Sequence, residues 1–115
     1  MTFDFGGEVA WRPTPAYIDH SRLKAFMDRH GFLTLAELHQ RSTDDPRWFW
    51  QAVLDDLQIE FYRPFSNILD SSRGPAWPRW CVDGSMNIVH NCLDKWMGTT
   101  VETREALLHQ IGVRS

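Results

Sequence analysis

The chain has 115 residues, a formal net charge of −3 and an isoelectric point near 5.9. This is the length of one small domain. Hydrophobic residues make up 43% of the chain and charged residues 23%, a composition typical of folded rather than disordered proteins. Basic residues form no run or stripe and no apolar run approaches the roughly 20 residues that span a membrane, so we expect neither nucleic-acid nor membrane binding.

The N-terminal stretch MTFDFGGEVAW lacks the basic start and apolar run of a secretion signal. Two cysteines, Cys81 and Cys92, are too few for a disulfide framework. Both features favour a cytoplasmic location.

The chain begins with a predicted extended arm over residues 1–17, because glycines and prolines interrupt any period there. Trp11 and Tyr17 are predicted to anchor this arm. A first helix is predicted within IDHSRLKAFMDRHG, between an N-cap at Asp19 or Ser21 and a glycine after its end. Its apolar stripe is Leu23, Phe26 and Met27.

Two further helices have clear start signals. Thr34 and Glu37 have the spacing of a capping box, which predicts a helix over TLAELHQRS. Asp45 and Pro46 predict the start of the next helix, DDPRWFWQAVLDDLQI. The predicted inward face of this helix comprises Phe49, Trp50, Val53, Leu54 and Leu57. We expect it to form one small core with Phe26, Leu35 and Leu38.

Periodicity is then lost, because prolines and a glycine punctuate the tryptophan-rich stretch EFYRPFSNILDSSRGPAWPRWCVDG. We expect irregular structure with short extended pieces. Asn87 then starts a fourth helix, whose predicted buried stripe is Val89, Cys92, Leu93 and Trp96. The predicted fold is mainly α: a small open bundle of three to four short helices, the long irregular segment, and the start of a C-terminal β-hairpin.

Four side chains in WCVDGSMNIVHNCLDKW belong to residue types that bind zinc: Cys81, His90, Cys92 and Asp94. Their spacing matches no short-loop ligand pair, so a buried structural Cys92 is favoured over a metal ligand. A Cys–His nucleophile pair needs a meeting in space that nothing in the sequence indicates.

The paired carboxylates Asp44–Asp45 and Asp55–Asp56 suggest acid–base chemistry by type alone. The first pair lies where a helix start favours an anion, and the second is predicted on an exposed helix face. Capping and solvation are therefore the favoured interpretations.

Five of the tryptophans could line a ligand pocket, but a chain this small more often uses such rings at an interface. They are Trp48, Trp50, Trp77, Trp80 and Trp96. No glycine-rich loop with a following lysine and serine or threonine is present to bind phosphate.

The order of residues over about 18–97 resembles the N-terminal region of the AMP-forming acyl-CoA synthetases related to acetyl-CoA synthetase. The pattern is carried by Asp45-Pro46, Phe49-Trp50, Val53, Arg63-Pro64, Trp77, Trp80, Gly84, Asn87 and Asn91-Cys92-Leu93-Asp94-Lys95-Trp96. Asp83-Gly84 replaces the paired glycine of the family. The resemblance also predicts that Ala106–Gln110 and Val113–Ser115 are two strands, with the chain stopping inside the second.

This resemblance implies three parts: the arm over 1–17, a synthetase-type N-terminal domain over 18–98, and a truncated start of the AMP-binding domain over 99–115. The family reaction joins a carboxylate to ATP with magnesium and passes the acyl group to CoA. The motifs for ATP, acyl group and CoA are missing here, so this chain is expected to be inactive alone, with no catalytic, cofactor or metal residue.

The implied role is to pack on the nucleotide-binding domain. The predicted contact residues are Trp50, Trp77, Trp80, Asn91, Asp94 and Trp96, of which Asn91 and Asp94 would make polar anchor bonds. The alternative is a stand-alone helical module that binds a protein partner through a tryptophan-rich face.

Overall fold

A computed structural model describes residues 6–105. These residues form five α-helices, one short 3-10 helix and one antiparallel sheet of two strands. They divide into two compact units, one ending at Asp56 and the other beginning at Leu57. The prediction of a mostly helical fold is confirmed for this part of the chain, with more helices than expected, while the bundle arrangement stays a prediction. The hairpin predicted near the C-terminus lies outside the described residues.

The first predicted helix is two helices, α1 (Pro15–Asp19) and α2 (Arg22–His30). Ser21 separates them, because its extended backbone leaves the helix and its Oγ accepts a hydrogen bond from the Lys24 N–H at 3.1 Å. This break explains why the helix count exceeds the prediction. Gly31 ends α2 in the left-handed region with φ 76°, as predicted.

α1 lies partly inside the arm that was predicted to be extended. Thr14 caps it, accepting a hydrogen bond from the Tyr17 N–H at 3.3 Å, and Pro15 suits the first helical position. The prediction is therefore wrong for the last three residues of the arm. Trp11 packs edge-on against Tyr17, with the ring centroids 5.4 Å apart.

The capping signals of the next two helices are confirmed. Ahead of α3 (Leu35–Asp44), the Thr34 Oγ1 accepts from the Glu37 N–H at 3.2 Å and the Glu37 carboxylate accepts from the Thr34 N–H at 3.1 Å. Ahead of α4 (Pro46–Asp56), the Asp45 carboxylate accepts from the Trp48 N–H at 3.1 Å.

The core of the first unit lies between α2, α3 and α4. Its buried members are Phe26, Met27, Leu38 and Ala52, and Phe32, Trp48, Phe49 and Val53 pack against them. Three residues predicted for this core, Leu35, Trp50 and Leu57, are exposed instead. α4 turns the face of Phe49, Ala52 and Val53 inward, so Trp50 lies on another side, and Leu57 follows the end of the helix.

The second unit begins with a hairpin inside the segment predicted to be irregular with short extended pieces. Strand β1 (Asn67–Asp70) pairs antiparallel with β2 (Arg79–Val82), and Leu69 lies opposite Trp80. Arg79 also binds the Asp70 carboxylate at 2.7 Å across the pair. A backbone hydrogen bond from Ser72 and the Arg79 guanidinium hold the pKa of Asp70 well below its usual range.

A tight turn follows β2. Cys81, near the end of β2, and Asp83, directly after it, have φ values of 46° and 63°. Residues with a side chain rarely adopt this region. The Asp83 carbonyl accepts from Arg63 Nε at 2.6 Å, and its carboxylate accepts from Ser66 Oγ at 2.9 Å. These bonds hold the turn in place.

Candidate protein-contact surface

The surface that distinguishes the second unit is built on α5 (Ile88–Cys92) and the 3-10 helix Asp94–Trp96. Asn87 starts α5 as predicted, and its Oδ1 accepts from the N–H groups of Val89 and His90 at 2.8 and 3.3 Å. A helix of five residues is not stable on its own. Contacts with the rest of the unit must therefore hold it.

Asn91 is the buried residue of α5, with 7% of its surface exposed. Its Oδ1 accepts from the Glu60 N–H at 2.8 Å, and its Nδ2 donates to the Glu60 carbonyl at 2.9 Å. Nδ2 also donates to the Asn87 carbonyl at 3.1 Å. The predicted polar role of Asn91 therefore has partners within the chain, and a bond from it to another domain stays a prediction.

Two neighbours of Asn91 complete this attachment. Lys95 Nζ donates to the Gln58 carbonyl and, at 3.2 Å, to Asn91 Oδ1. Trp96 Nε1 donates to the Asn91 carbonyl at 3.1 Å. We call the set Gln58, Glu60, His90, Asn91 and Lys95 the α5 clamp.

His90 adds a side-chain contact with Glu60 to the clamp, and this contact is an ion pair when the imidazole is protonated. Its Nε2 lies 2.6 Å from Glu60 Oε2. The hydrogen bond from His90 is the largest influence on the pKa of Glu60 and lowers it; burial opposes this effect, and the charges of His90 and Lys95 add to the lowering. Sequence reasoning missed this pair because its members are 30 positions apart.

The outer side of α5 and the residues after it is apolar and exposed. Between 50% and 71% of the surface is exposed for each of Ile88, Val89, Leu93 and Met97, which we call the α5 apolar face. The prediction of a buried stripe is therefore wrong for Val89, Cys92 and Leu93, whereas Trp96 is half-buried. Asn91 occupies the inward side of the helix, which leaves the apolar residues on its outer sides.

The prediction of a buried structural cysteine at Cys92 is also wrong, because Cys92 is exposed. It lines a surface hollow of about 290 Å³ at the end of α5. The hollow is bounded by Cys92, Leu93, Trp96, Met97, Val101, Glu102, Arg104 and Glu105. A mainly apolar hollow with charged residues in its lining suits an apolar side chain of a partner.

The tryptophans predicted for the interface differ in exposure. Trp77, in the hairpin connection, is 70% exposed and Trp80, on β2, is 47% exposed. Trp96 is half-buried beside Lys95, whose Nζ lies 4.9 Å from the ring centroid. Trp50 lies in the first unit and Asp94 is exposed in the second. The interface role of these residues stays a prediction.

No metal cluster is found within residues 6–105, where no three or more His, Cys, Asp or Glu side chains come together to hold an ion. Cys81 is half-buried and Cys92 exposed, and both are free thiols. Of the paired carboxylates, Asp45 caps α4 as predicted and Asp44 accepts from Gln40 Nε2 at 2.8 Å.

Asp56 was predicted to be an exposed, solvated carboxylate, and this prediction is wrong. Only 13% of its side chain is exposed, and it binds both Arg29 and, at 3.2 Å, Arg22 of α2. Burial raises the pKa of Asp56, but the hydrogen bonds and charges of the two arginines outweigh burial and lower it overall. Asp56 therefore fastens the end of α4 to α2.

The first unit carries a second concave surface, a groove of about 520 Å³ beside α3. Its walls are apolar apart from His39 and Ser42. The lining comprises Leu23, Leu35, Ala36, Leu38, His39, Ser42 and Phe49.

A family model decides which proteins this chain is related to. The model for the acetyl-coenzyme A synthetase N-terminus matches residues 35–92, just over half of the chain. The chain belongs to this family. The match runs from α3 to the end of α5 and lies inside the range over which the resemblance was predicted.

Curated relatives agree with membership of the acetyl-coenzyme A synthetase N-terminus family. The propionate–CoA ligase of Salmonella typhimurium is 36% identical over 64 residues, which are 56% of this chain and 10% of that protein. The chloroplastic/glyoxysomal acetyl-coenzyme A synthetase of Arabidopsis thaliana is 42% identical over 66 residues, 51% of this chain and 8% of that protein. The chain thus spans about a tenth of the length of these relatives. No solved structure matches it at a significant level.

The structure accounts for one departure from the synthetase pattern. Asp83 replaces the first glycine of the pair and has φ 63°, a conformation that glycine adopts freely and aspartate tolerates better than most residues. Residues 6–105 contain no helix long and apolar enough to cross a membrane.

Proposed function

We propose that this chain is the N-terminal segment of an AMP-forming acyl-CoA synthetase and that it packs on the nucleotide-binding domain without contributing a catalytic residue. Membership of the acetyl-coenzyme A synthetase N-terminus family is the observation that carries the proposal. In a full-length enzyme the reaction is the activation of a carboxylate with ATP and its transfer to CoA. The proposed location is the cytoplasm, where Cys81 and Cys92 stay thiols.

The α5 apolar face supports the packing role. Its four side chains are exposed within ten positions of sequence, next to a hollow lined by Leu93, Trp96 and Val101. Large contiguous apolar surfaces mark places where proteins contact one another. We place the contact with the nucleotide-binding domain here, together with the predicted residues Trp77, Trp80, Asp94 and Trp96.

The described residues do not fit a magnesium–nucleotide site. They hold no group of three or more potential metal-binding side chains, and the carboxylates of Asp56 and Asp70 bind arginines of the same unit. The proposal therefore assigns ATP, magnesium and CoA to the remainder of a full-length enzyme.

The test is the mass of the native protein in its source cells, detected with an antibody against this chain. A band several times larger than 13.5 kDa is expected. In that larger protein, Trp80→Ala and Trp96→Ala should lower the yield of folded enzyme. Normal yield and melting temperature in both variants would contradict the packing role.

The alternative is a stand-alone interaction module with a tryptophan-rich contact face. The exposure of Trp77 favours it, because this large ring lies open to solvent. A native band at 13.5 kDa with cooperative melting would support this alternative and exclude the synthetase segment.

A further inference from the structure

The α5 clamp contains one side chain whose charge changes between mildly acidic and mildly basic pH. Gln58 and Asn91 carry no ionisable group, and the hydrogen bond from His90 lowers the pKa of Glu60, which moves it further from this range. Imidazole is the group that changes charge there. The clamp therefore holds α5 by contacts that do not respond to pH and by one contact that does, the His90–Glu60 pair.

The surroundings of His90 determine which protonation state of the ring this contact favours. Glu60 Oε2 lies 2.6 Å from His90 Nε2. The centroid of the Tyr62 ring lies 6.1 Å from that of the His90 ring. Lys95, on the 3-10 helix, binds Gln58 and Asn91. The carboxylate of Glu60 is thus the charge in direct contact with the ring, and it attracts the protonated imidazole more strongly than the neutral one.

We propose that the Glu60–His90 pair is a pH-sensitive latch on α5, tighter with protonated than with neutral His90. The protonated ring gives Glu60 a charge-assisted hydrogen bond, and the neutral ring gives it an ordinary one. Local opening of α5 from residues 58–60 therefore increases as pH rises through the range in which histidine loses its proton. The latch adjusts the strength of the attachment, because Asn91 binds Glu60 at every pH in this range.

The latch acts on the element that carries the α5 apolar face. Ile88, Val89 and Leu93 lie on or directly after the helix that the clamp holds. Opening of α5 disperses this face, so its geometry becomes dependent on pH. The latch concerns the attachment of α5 within its own unit and holds whether or not the face binds a synthetase domain.

Hydrogen exchange of two amides in the whole chain tests the latch. The Asn91 N–H donates to the Asn87 carbonyl at 3.2 Å and the Leu93 N–H to the Val89 carbonyl at 2.8 Å, so both report opening of α5. After correction for the intrinsic exchange rate, their protection should fall about two- to fivefold between about pH 5.5 and about pH 7.5, the range expected for an exposed ion pair. In His90→Gln the protection of each amide should be the same at the two pH values, because glutamine keeps a donor that is neutral at both.

The control is His39→Gln, which removes an exposed histidine from α3 in the first unit and should keep the pH dependence of the natural chain. Glu60→Gln is a second variant that keeps the backbone bonds to Asn91, and it should also abolish the dependence. If His90→Gln does not fold, Glu60→Gln decides alone. An unchanged pH dependence in the folded variant, or none in the natural chain, would overturn the proposal.

Discussion

The side-chain amide of Asn91 makes two hydrogen bonds with the backbone of Glu60, 31 positions away in sequence. One bond uses the Glu60 N–H and the other its carbonyl, at 2.8 and 2.9 Å. The amide thereby satisfies both backbone groups in the way a neighbouring strand would. Because a buried polar group left unpaired costs about 1–3 kcal/mol, this pairing fixes where α5 attaches.

Asn91→Asp should lower the free energy of unfolding by about 2–3 kcal/mol. Aspartate cannot donate to the Glu60 and Asn87 carbonyls, and it places a charge at a site with 7% exposure. Urea unfolding of the whole chain, followed by circular dichroism, measures the change.

Asn87→Asp is the matched control. Aspartate caps a helix as well as asparagine does, so the change at Asn87 should stay within about 0.5 kcal/mol. Equal losses in the two variants would show that the donor groups of Asn91 do not matter.

Local signals in the sequence predicted much of the first unit. The capping box of Thr34 and Glu37, the Asp45-Pro46 start and Gly31 each depend on hydrogen bonds or backbone geometry within a few residues. Asp56 was mispredicted although a local signal existed. It lies four positions after buried Ala52, so it shares the inward face of α4 and meets the arginines of α2.

The predictions for α5 failed for a physical reason. An apolar stripe on a helix usually faces the core, and that rule placed Val89 and Leu93 inside. Here a polar residue, Asn91, faces inward because its partner is the backbone of Glu60, and no spacing rule relates positions so far apart. The family motif located α5 in the sequence, but only the structure shows which side of it is buried.

Substitution of the α5 apolar face should leave the chain stable. In Ile88→Ser with Leu93→Ser, the free energy of unfolding should change by less than about 1 kcal/mol, because both side chains are mostly exposed. Binding of an apolar dye to the folded chain should decrease. Parallel fluorescence and urea titrations measure the two effects.

Leu38→Ala provides the contrast for this pair, since Leu38 is buried in the core of the first unit. It should cost about 2–5 kcal/mol. A comparable loss from the double variant would mean that Ile88 and Leu93 are buried within the chain.

Asp56→Asn should destabilise the first unit by about 1–2 kcal/mol near neutral pH, because it removes the ion pairs with Arg22 and Arg29. Thermal unfolding of the two proteins under matched conditions measures the loss. Asp55→Asn is the control, since Asp55 is exposed and accepts from Gln51 of its own helix. It should change stability by less than about 0.5 kcal/mol.

The loss from Asp56→Asn should also depend on pH. The pKa of Asp56 is lower in the folded chain than in the unfolded one, so its stabilisation is fully present above the unfolded value of about 3.9 and is lost as pH falls through the folded value. The stabilities of the natural chain and the variant should therefore approach one another as pH falls below the unfolded value. A stability difference that stays constant as pH falls well below the unfolded value would show that the carboxylate charge contributes nothing.

Gly84, in the tight turn after β2, should be difficult to replace because its surroundings are crowded. An added Cβ would lie 3.0 Å from the Cys81 carbonyl oxygen and 3.1 Å from the Phe65 Cβ, tighter than most real contacts, so its neighbours would have to move by a few tenths of an ångström. Gly84→Ala should therefore cost about 1–3 kcal/mol through crowding.

The contrasting variant is Asp83→Gly, which relieves a φ of 63° but removes the acceptor for Ser66. These effects oppose one another, so it should stay within about 1 kcal/mol of the natural chain. Urea unfolding of both variants measures the difference, and a harmless Gly84→Ala would show that the turn relaxes away from the Phe65 side chain.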